Sequence, residues 1–140
     1  MRITEVNMNV LCAPQGYYLA QAISRDMNFK VGLPAQFDKA FDVKEKLEEL
    51  FDDGLLIGNA YLTGNLISLV VKDSSYDTPD QEAFIDALSD MRELVEIDHV
   101  TKLAIPKLCC GRNGFDWEDV KEAIEFIFDD CDIEIMVCYQ

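Results

Sequence analysis

Between Leu66 and Ile105 the chain changes its hydrophobic period twice. "LISLVVK" is an unbroken apolar run rich in β-branched residues, and "AFIDALSDMRELV" carries Phe84, Leu88, Met91 and Val95 at helical spacing. "KLAIPKL" is again a short apolar run. A strand buried on both faces, a helix with one apolar stripe and a second buried strand make the pattern of a β–α–β crossover. The helix start is marked by "TPDQ", with Thr78 as the expected N-cap, Pro79 in the first turn and Gln81 three residues after the cap. Such a crossover commits the chain to the α/β class, where helices cover the faces of a sheet.

The remaining segments extend the alternation. "ITEVNMNVL" (Ile3–Leu11) predicts a first strand and "YYLAQAIS" (Tyr17–Ser24) a second. Helices are expected over Leu33–Phe41, where Pro34 is tolerated in the first turn, and over Val43–Phe51, with Val43, Leu47, Leu50 and Phe51 on one face. "GNAYLTGNLISLVVKD" predicts a hairpin, with strands at Asn59–Leu62 and Leu66–Lys72 about a turn at Gly64-Asn65. Towards the end, "DWED" opens a helix with the stripe Val120, Ala123, Ile124, Ile127, Phe128, and "DIEIMVCY" forms a strand with Ile133, Ile135 and Val137 on one side. The expected architecture is a single three-layer α/β/α domain over residues 1–140, its mixed central sheet having about six strands.

Charge narrows the function classes. With 27 acidic against 12 basic residues and a net charge of −15, an extended nucleic-acid surface is disfavoured, because such binding rests on Lys and Arg neutralising phosphates. A small anion held by backbone N–H groups remains compatible with this charge. No apolar run approaches the roughly 20 residues that cross a bilayer, and "MRITEVNMNVL" lacks the zones of a signal peptide, so no membrane partner and a cytoplasmic location are expected. Cys12, Cys109, Cys110, Cys131 and Cys138 form no CxxC pair and are expected as free thiols. His99 is the only histidine, and the thiol spacings suggest no metal site; no cofactor is implied.

In open α/β sheets ligands sit beyond the C-terminal ends of the strands. Three loops fall there: "SRDMNFKVGLP", "KDSSYDTP" and "CCGRNGFDW". In the last, Gly111, Arg112, Asn113 and Gly114 lie between a strand and a helix, where backbone N–H groups are expected to converge on an anion near the positive end of the helix dipole. The plainer alternative is an ordinary strand-to-helix turn, with Asp116 as N-cap and Asp119 three residues on.

"LAQAISRDMNFKVGLPAQFDKAF" and "LAIPKLCCGRNGFDWEDV" together resemble the ribose loop and the phosphate loop of macrodomains. The similarity covers almost the whole chain, and Trp117 after the second loop is its most distinctive residue. It is closest to the branch that removes terminal ADP-ribose from acidic side chains and to the related antitoxin branch that removes it from DNA. The resemblance implies a site for ADP-ribose, or an ADP-ribosylated macromolecule, contacted by Asn9, Ser24, Lys30, Gly32, Cys110, Gly111, Arg112 and Gly114. It further implies that Lys72 attacks the anomeric carbon of the distal ribose to form a lysyl adduct.

The chain departs from the family pattern at four places. Asn9 stands where an acidic residue receives the adenine amino group, and its carboxamide oxygen still accepts. Lys30 replaces the first glycine of the ribose loop, leaving Gly32. Asn113 replaces the catalytic aspartate of the protein-directed branch, and an amide is no general base. Cys138 stands where an aromatic residue closes over the adenine, with Tyr139 one residue later and so expected on the other face. Two readings follow: a hydrolase releasing ADP-ribose from acidic side chains or bases through Lys72, or a module that binds ADP-ribose or a related nucleotide without turnover. A domain with a closed cleft that serves protein contacts is a third.

Overall fold

In the computed structural model, which describes all 140 residues, each apolar run becomes a strand and each apolar stripe a helix. The strands are β1 (Arg2–Asn7), β2 (Tyr18–Ser24), β3 (Ala60–Thr63), β4 (Leu66–Lys72), β5 (Lys102–Ile105) and β6 (Glu134–Tyr139). The α-helices are α1 (Gly32–Phe41), α2 (Val43–Leu50), α3 (Gln81–Ile97) and α4 (Trp117–Ile127). One sheet runs in the order β1-β6-β5-β2-β4-β3; β3 pairs antiparallel with β4 and all other neighbours are parallel.

Side-chain alternation along the strands sorts the core into two sides. Ile67, Leu69, Val71, Leu103, Ile105 and Ile135 pack with Phe84, Leu88 and Met91 of α3 and with Val120 and Ile124 of α4. Leu19, Ile23, Leu66, Val70 and Met136 pack with Phe37 of α1 and with Val43 and Leu47 of α2. The result is the expected three-layer α/β/α arrangement with six strands, each layer held by burial worth about 1.5–3 kcal/mol per large apolar side chain.

Several boundaries differ from expectation for identifiable reasons. β1 stops at Asn7 rather than Leu11, because Asn9 caps a 3-10 turn at Val10–Cys12 by accepting the Leu11 N–H at 2.9 Å. Such local side-chain bonds compete with a strand ladder. The N-cap of α3 is Asp80, not Thr78: its carboxylate accepts the Ala83 N–H at 2.9 Å, while its own N–H donates to Val71 O at 2.9 Å. That bond to β4 holds the backbone extended up to Asp80, so Pro79 precedes the helix. β5 ends at Ile105 because Pro106 has no N–H for a ladder. Leu50 is exposed at the end of α2, off the face that buries Val43 and Leu47.

Two irregularities shape the region beyond the strand ends. β2 and β5 pair only through Tyr18–Leu103 and Leu19–Ala104 and then part, which opens a crevice. On its other side β2 stays with β4, but the register shifts from Ile23–Val70 to Ser24–Lys72, making Val71 an extra residue. A bulge of this kind bends the strand and re-aims the following side chain. Here that side chain is Lys72, and the displaced Val71 carbonyl is the one satisfied by Asp80.

Candidate functional site

The crevice widens into a cleft of about 460 Å³, within the usual ~300–1,000 Å³ range of ligand pockets. Gln21 and Ala22 of β2 line it, with Leu33 and Pro34 from the start of α1, Val71, Lys72 and Ser75 to Pro79 after β4, and Pro106 to Cys109 and Gly111 to Gly114 after β5. Leu33 and Pro106 also line an adjoining recess of about 170 Å³, together with Asn9, Gln36, Cys138 and Tyr139.

The loop after β5 is a tight, self-bonded turn. Gly114 N–H donates to Gly111 O at 2.9 Å and Phe115 N–H to Cys109 O at 2.7 Å. A Cβ on Gly114 would overlap the Cys109 carbonyl oxygen and lie 2.9 Å from Gly111 O, so only glycine fits. Cys109 and Asn113 both have φ of 60°, a conformation that asparagine tolerates better than most residues. The N–H groups of Gly111, Arg112 and Asn113 find no acceptor within the protein. Three of the four donors expected from sequence are therefore free, and the fourth, on Gly114, serves the turn itself.

The helix that follows contributes less than expected. Asp116 is its N-cap and accepts the Glu118 N–H at 3.4 Å, so a carboxylate already occupies the positive end of α4. Asp116 is thus a cap, as the plainer reading has it, and the N–H groups left without an acceptor are those of the loop before it. Phe115 anchors the junction by packing on Phe84, ring centroids 5.4 Å apart.

The cleft is cationic although the chain is acidic. Lys72, Lys107 and Arg112 line it against one carboxylate, Asp77. Arg112 enters no ion pair, whereas Lys107 Nζ lies 4.9 Å over the Tyr139 ring and 4.0 Å from Glu5. Lys72 is half-buried, and its Nζ donates to Ser75 O at 3.2 Å. Burial pushes the Cys109 thiol up to about 12, with Cys110 adding to the shift and the charge of Lys72 partly offsetting it. Gln21 donates to Ser68 Oγ at 3.2 Å and leaves its buried Oε1 unpaired at the cleft wall.

Of the residues singled out from sequence, Lys72, Gly111, Arg112, Asn113 and Gly114 share this cleft, and Asn9 lies in the recess beside it. Asn9 Oδ1 is engaged by Leu11 N–H, and its Nδ2 donates to Gln36 Oε1 at 3.3 Å. Tyr139, expected on the opposite face from the replaced aromatic, lines the recess together with Cys138. Ser24, Gly32 and Cys110 do not line the cleft: Ser24 is buried and donates to Asp26 at 2.6 Å. Gly32 has φ of 70° at the start of α1, and Cys110 turns its thiol to Leu108 O at 3.3 Å. Lys30 is exposed and lines a separate surface depression with Asp26, Asp38 and Lys44, not the cleft. Sequence reasoning did not single out Gln21, Ser75, Tyr76 or Lys107, although Ser75 and Tyr76 lie in the second of the three candidate loops and Lys107 is a basic residue beside the third.

No family model matches the chain. It is 29% identical over 137 residues to human "ADP-ribose glycohydrolase OARD1", a match that covers 97% of this chain and 90% of that protein. In three dimensions it is similar to the macrodomain of Thermus aquaticus DarG, with a TM-score of 0.85 at 20% identity over 99% of this chain and 98% of that one. It is also similar to Thermosipho africanus DarTG, solved in complex with ADP-ribose, with a TM-score of 0.82 at 15% identity over 98% of this chain and 41% of that one.

Proposed function

This chain is a macrodomain by fold, and from that premise we propose that its cleft binds ADP-ribose and releases it from a modified acidic side chain or base, with Lys72 as nucleophile. The observation that carries this reading is the loop Gly111 to Asn113, whose three unpaired N–H groups share one cleft with Lys72. Successive backbone N–H donors left free in a tight turn suit a diphosphate. The name of the human relative and the ligand of the Thermosipho structure support the same ligand.

In this reading the adenine lies in the recess between Asn9, Gln36 and Tyr139, the diphosphate on the loop, and the distal ribose beside Lys72. The neutral lysine amine attacks the anomeric carbon, a C–N bond forms, and the C–O bond to the ester breaks, its electron pair leaving with the carboxylate. The new nitrogen centre loses a proton, and water then takes the place of the amine to give free ADP-ribose and the restored lysine. Asn113 cannot activate that water, so breakdown of the adduct is the slow step. Residues 1–140 act here as one domain, and the five free thiols accord with a reducing, cytoplasmic setting.

Titration with ADP-ribose tests the reading. Saturating ligand raises the melting temperature, as any ligand selective for the folded state must, and shifts the amide resonances of Gly111, Arg112 and Asn113. AMP, which lacks the distal ribose, does less. If ADP-ribose moves neither the melt nor those amides, the cleft is not its site.

A further inference from the structure

The loops that follow β2 and β4 are fastened to each other by a carboxylate that makes no contact with the phosphate loop. Asp26 Oδ1 accepts the Ser24 hydroxyl at 2.6 Å and the Asn28 N–H at 3.0 Å, and Oδ2 accepts the Ser75 N–H at 3.1 Å. Asn28 Nδ2 donates to Ser75 Oγ at 2.9 Å. Backbone bonds run alongside, from Arg25 N–H to Lys72 O at 2.9 Å and from Asp26 N–H to Asp73 O at 3.2 Å. Ser75 is thus held from both its amide and its hydroxyl, and its carbonyl is the one that receives Lys72 Nζ.

We propose that Asp26 is a positioning residue for Lys72, acting through Ser75, and that it governs the rate of ADP-ribose release without governing ADP-ribose affinity. The inference rests on Lys72 being the nucleophile. A lysine at the end of a strand has a long stem that samples many rotamers, and the only hydrogen bond that the Lys72 side chain makes is the one to Ser75 O. A peptide carbonyl locates the nitrogen without pairing it to a negative charge, whereas a carboxylate in direct contact would bind it as an ion pair. Asp26 acts one residue removed, so it fixes the carbonyl and leaves the amine unpaired. Its carboxyl is held below the usual range, chiefly by the Ser24 hydroxyl, against the effect of burial, and then by the Ser75 and Asn28 N–H groups and the charge of Lys72, so the clasp is intact throughout the neutral range. The neighbouring Arg25–Asp73 ion pair is solvent-exposed on both sides and contributes little.

The experiment compares wild type with Asp26→Asn, whose amide presents one acceptor oxygen where the carboxylate presents two. Three quantities are measured: ADP-ribose affinity by calorimetry, single-turnover release from a peptide carrying ADP-ribose on glutamate, and the ε-methylene signals of Lys72 by carbon–proton NMR of the free protein. Asp26→Asn is expected to slow release about 10- to 100-fold, the effect of displacing a reacting group by roughly 1 Å. Affinity should stay within threefold, and the two Lys72 ε-protons, distinct in wild type, should merge as the side chain is freed. Unchanged release, loss of affinity in step with rate, or unchanged Lys72 signals each overturn the proposal. If wild type itself releases nothing, the hydrolase reading fails separately, and the Lys72 signals still decide whether Asp26 holds the lysine. Should Asp26→Asn not fold, Asn28→Ala removes only the bond to Ser75 Oγ; a slower release of at least threefold at unchanged affinity is expected from it, and no change overturns the proposal.

Discussion

Gly114 and Gly111 stand three residues apart in one loop, and the structure assigns them opposite tolerance to a methyl group. A Cβ on Gly114 would overlap Cys109 O and lie 2.9 Å from both Cys109 C and Gly111 O. All three obstructing atoms are backbone, so no rotamer relieves them, and the Phe115 N–H bond to Cys109 O at 2.7 Å must stretch or break. Forcing extra volume into such a site costs about 1–3 kcal/mol. In a chain of this size that corresponds to a melting temperature lower by about 3–12 °C. Opening the turn also disperses the free N–H groups of Gly111, Arg112 and Asn113. A hydrogen bond to a charged acceptor is worth about 1.5–3 kcal/mol, so misplacing one of them weakens ADP-ribose by about 10- to 150-fold. A Cβ on Gly111 meets nothing within 4 Å, and its φ is not positive, so the stability of Gly111→Ala should stay within about 0.5 kcal/mol of wild type. Thermal denaturation and calorimetry with ADP-ribose on the two variants make the comparison. Wild-type affinity in Gly114→Ala, or an equal loss of stability in Gly111→Ala, would refute the argument that the shape of the turn makes the anion site.

Lys72→Ala should abolish release of ADP-ribose while leaving its affinity within a few fold, since a nucleophile acts in the transition state more than in the ground state; equal loss of both would mark it as a binding contact. Asn113→Asp places a carboxylate on the same backbone beside the distal ribose and should speed breakdown of the lysyl adduct by about 10²- to 10⁴-fold, followed as disappearance of the adduct on Lys72 by mass spectrometry with enzyme in excess. Iodoacetamide at pH 8 should modify exposed Cys12 first and spare half-buried Cys109, whose thiol is pushed up to about 12, as peptide mapping would report.

The elements were legible because their periodicity is strong: Leu66 to Lys72 and Phe84 to Val95 occupy the places that their apolar spacing predicts. The start of α3 was not: the sequence pointed to Thr78 as the cap, and Asp80 takes that place because its N–H is held by the Val71 carbonyl, which lies on another element. The tight turn after β5 was legible from Gly111 and Gly114. Its division of labour was not, since which N–H groups stay free depends on how the turn bonds to itself. Lys30 illustrates the same limit: the sequence places it in the ribose loop, and only the fold turns it away from the cleft. The turn at Asp26 and Asn28 had a local signature, an aspartate bonding two residues on. Its partner Ser75 is 49 positions distant, beyond the reach of any local pattern.

The contrast between an acidic body and a cationic cleft also sets the tempo of binding. A diphosphate approaching from solution first meets the field of a chain carrying −15, and only at close range the attraction of Lys72, Lys107 and Arg112. At about 0.1 M salt charges are screened beyond roughly 10 Å, so added salt removes the distant repulsion sooner than the contact attraction. Association should therefore quicken with ionic strength over a range in which cationic phosphate-binding proteins slow down. Dissociation quickens too, as ions compete for Arg112. Salt then governs how fast ADP-ribose exchanges at the cleft far more than how tightly it is held.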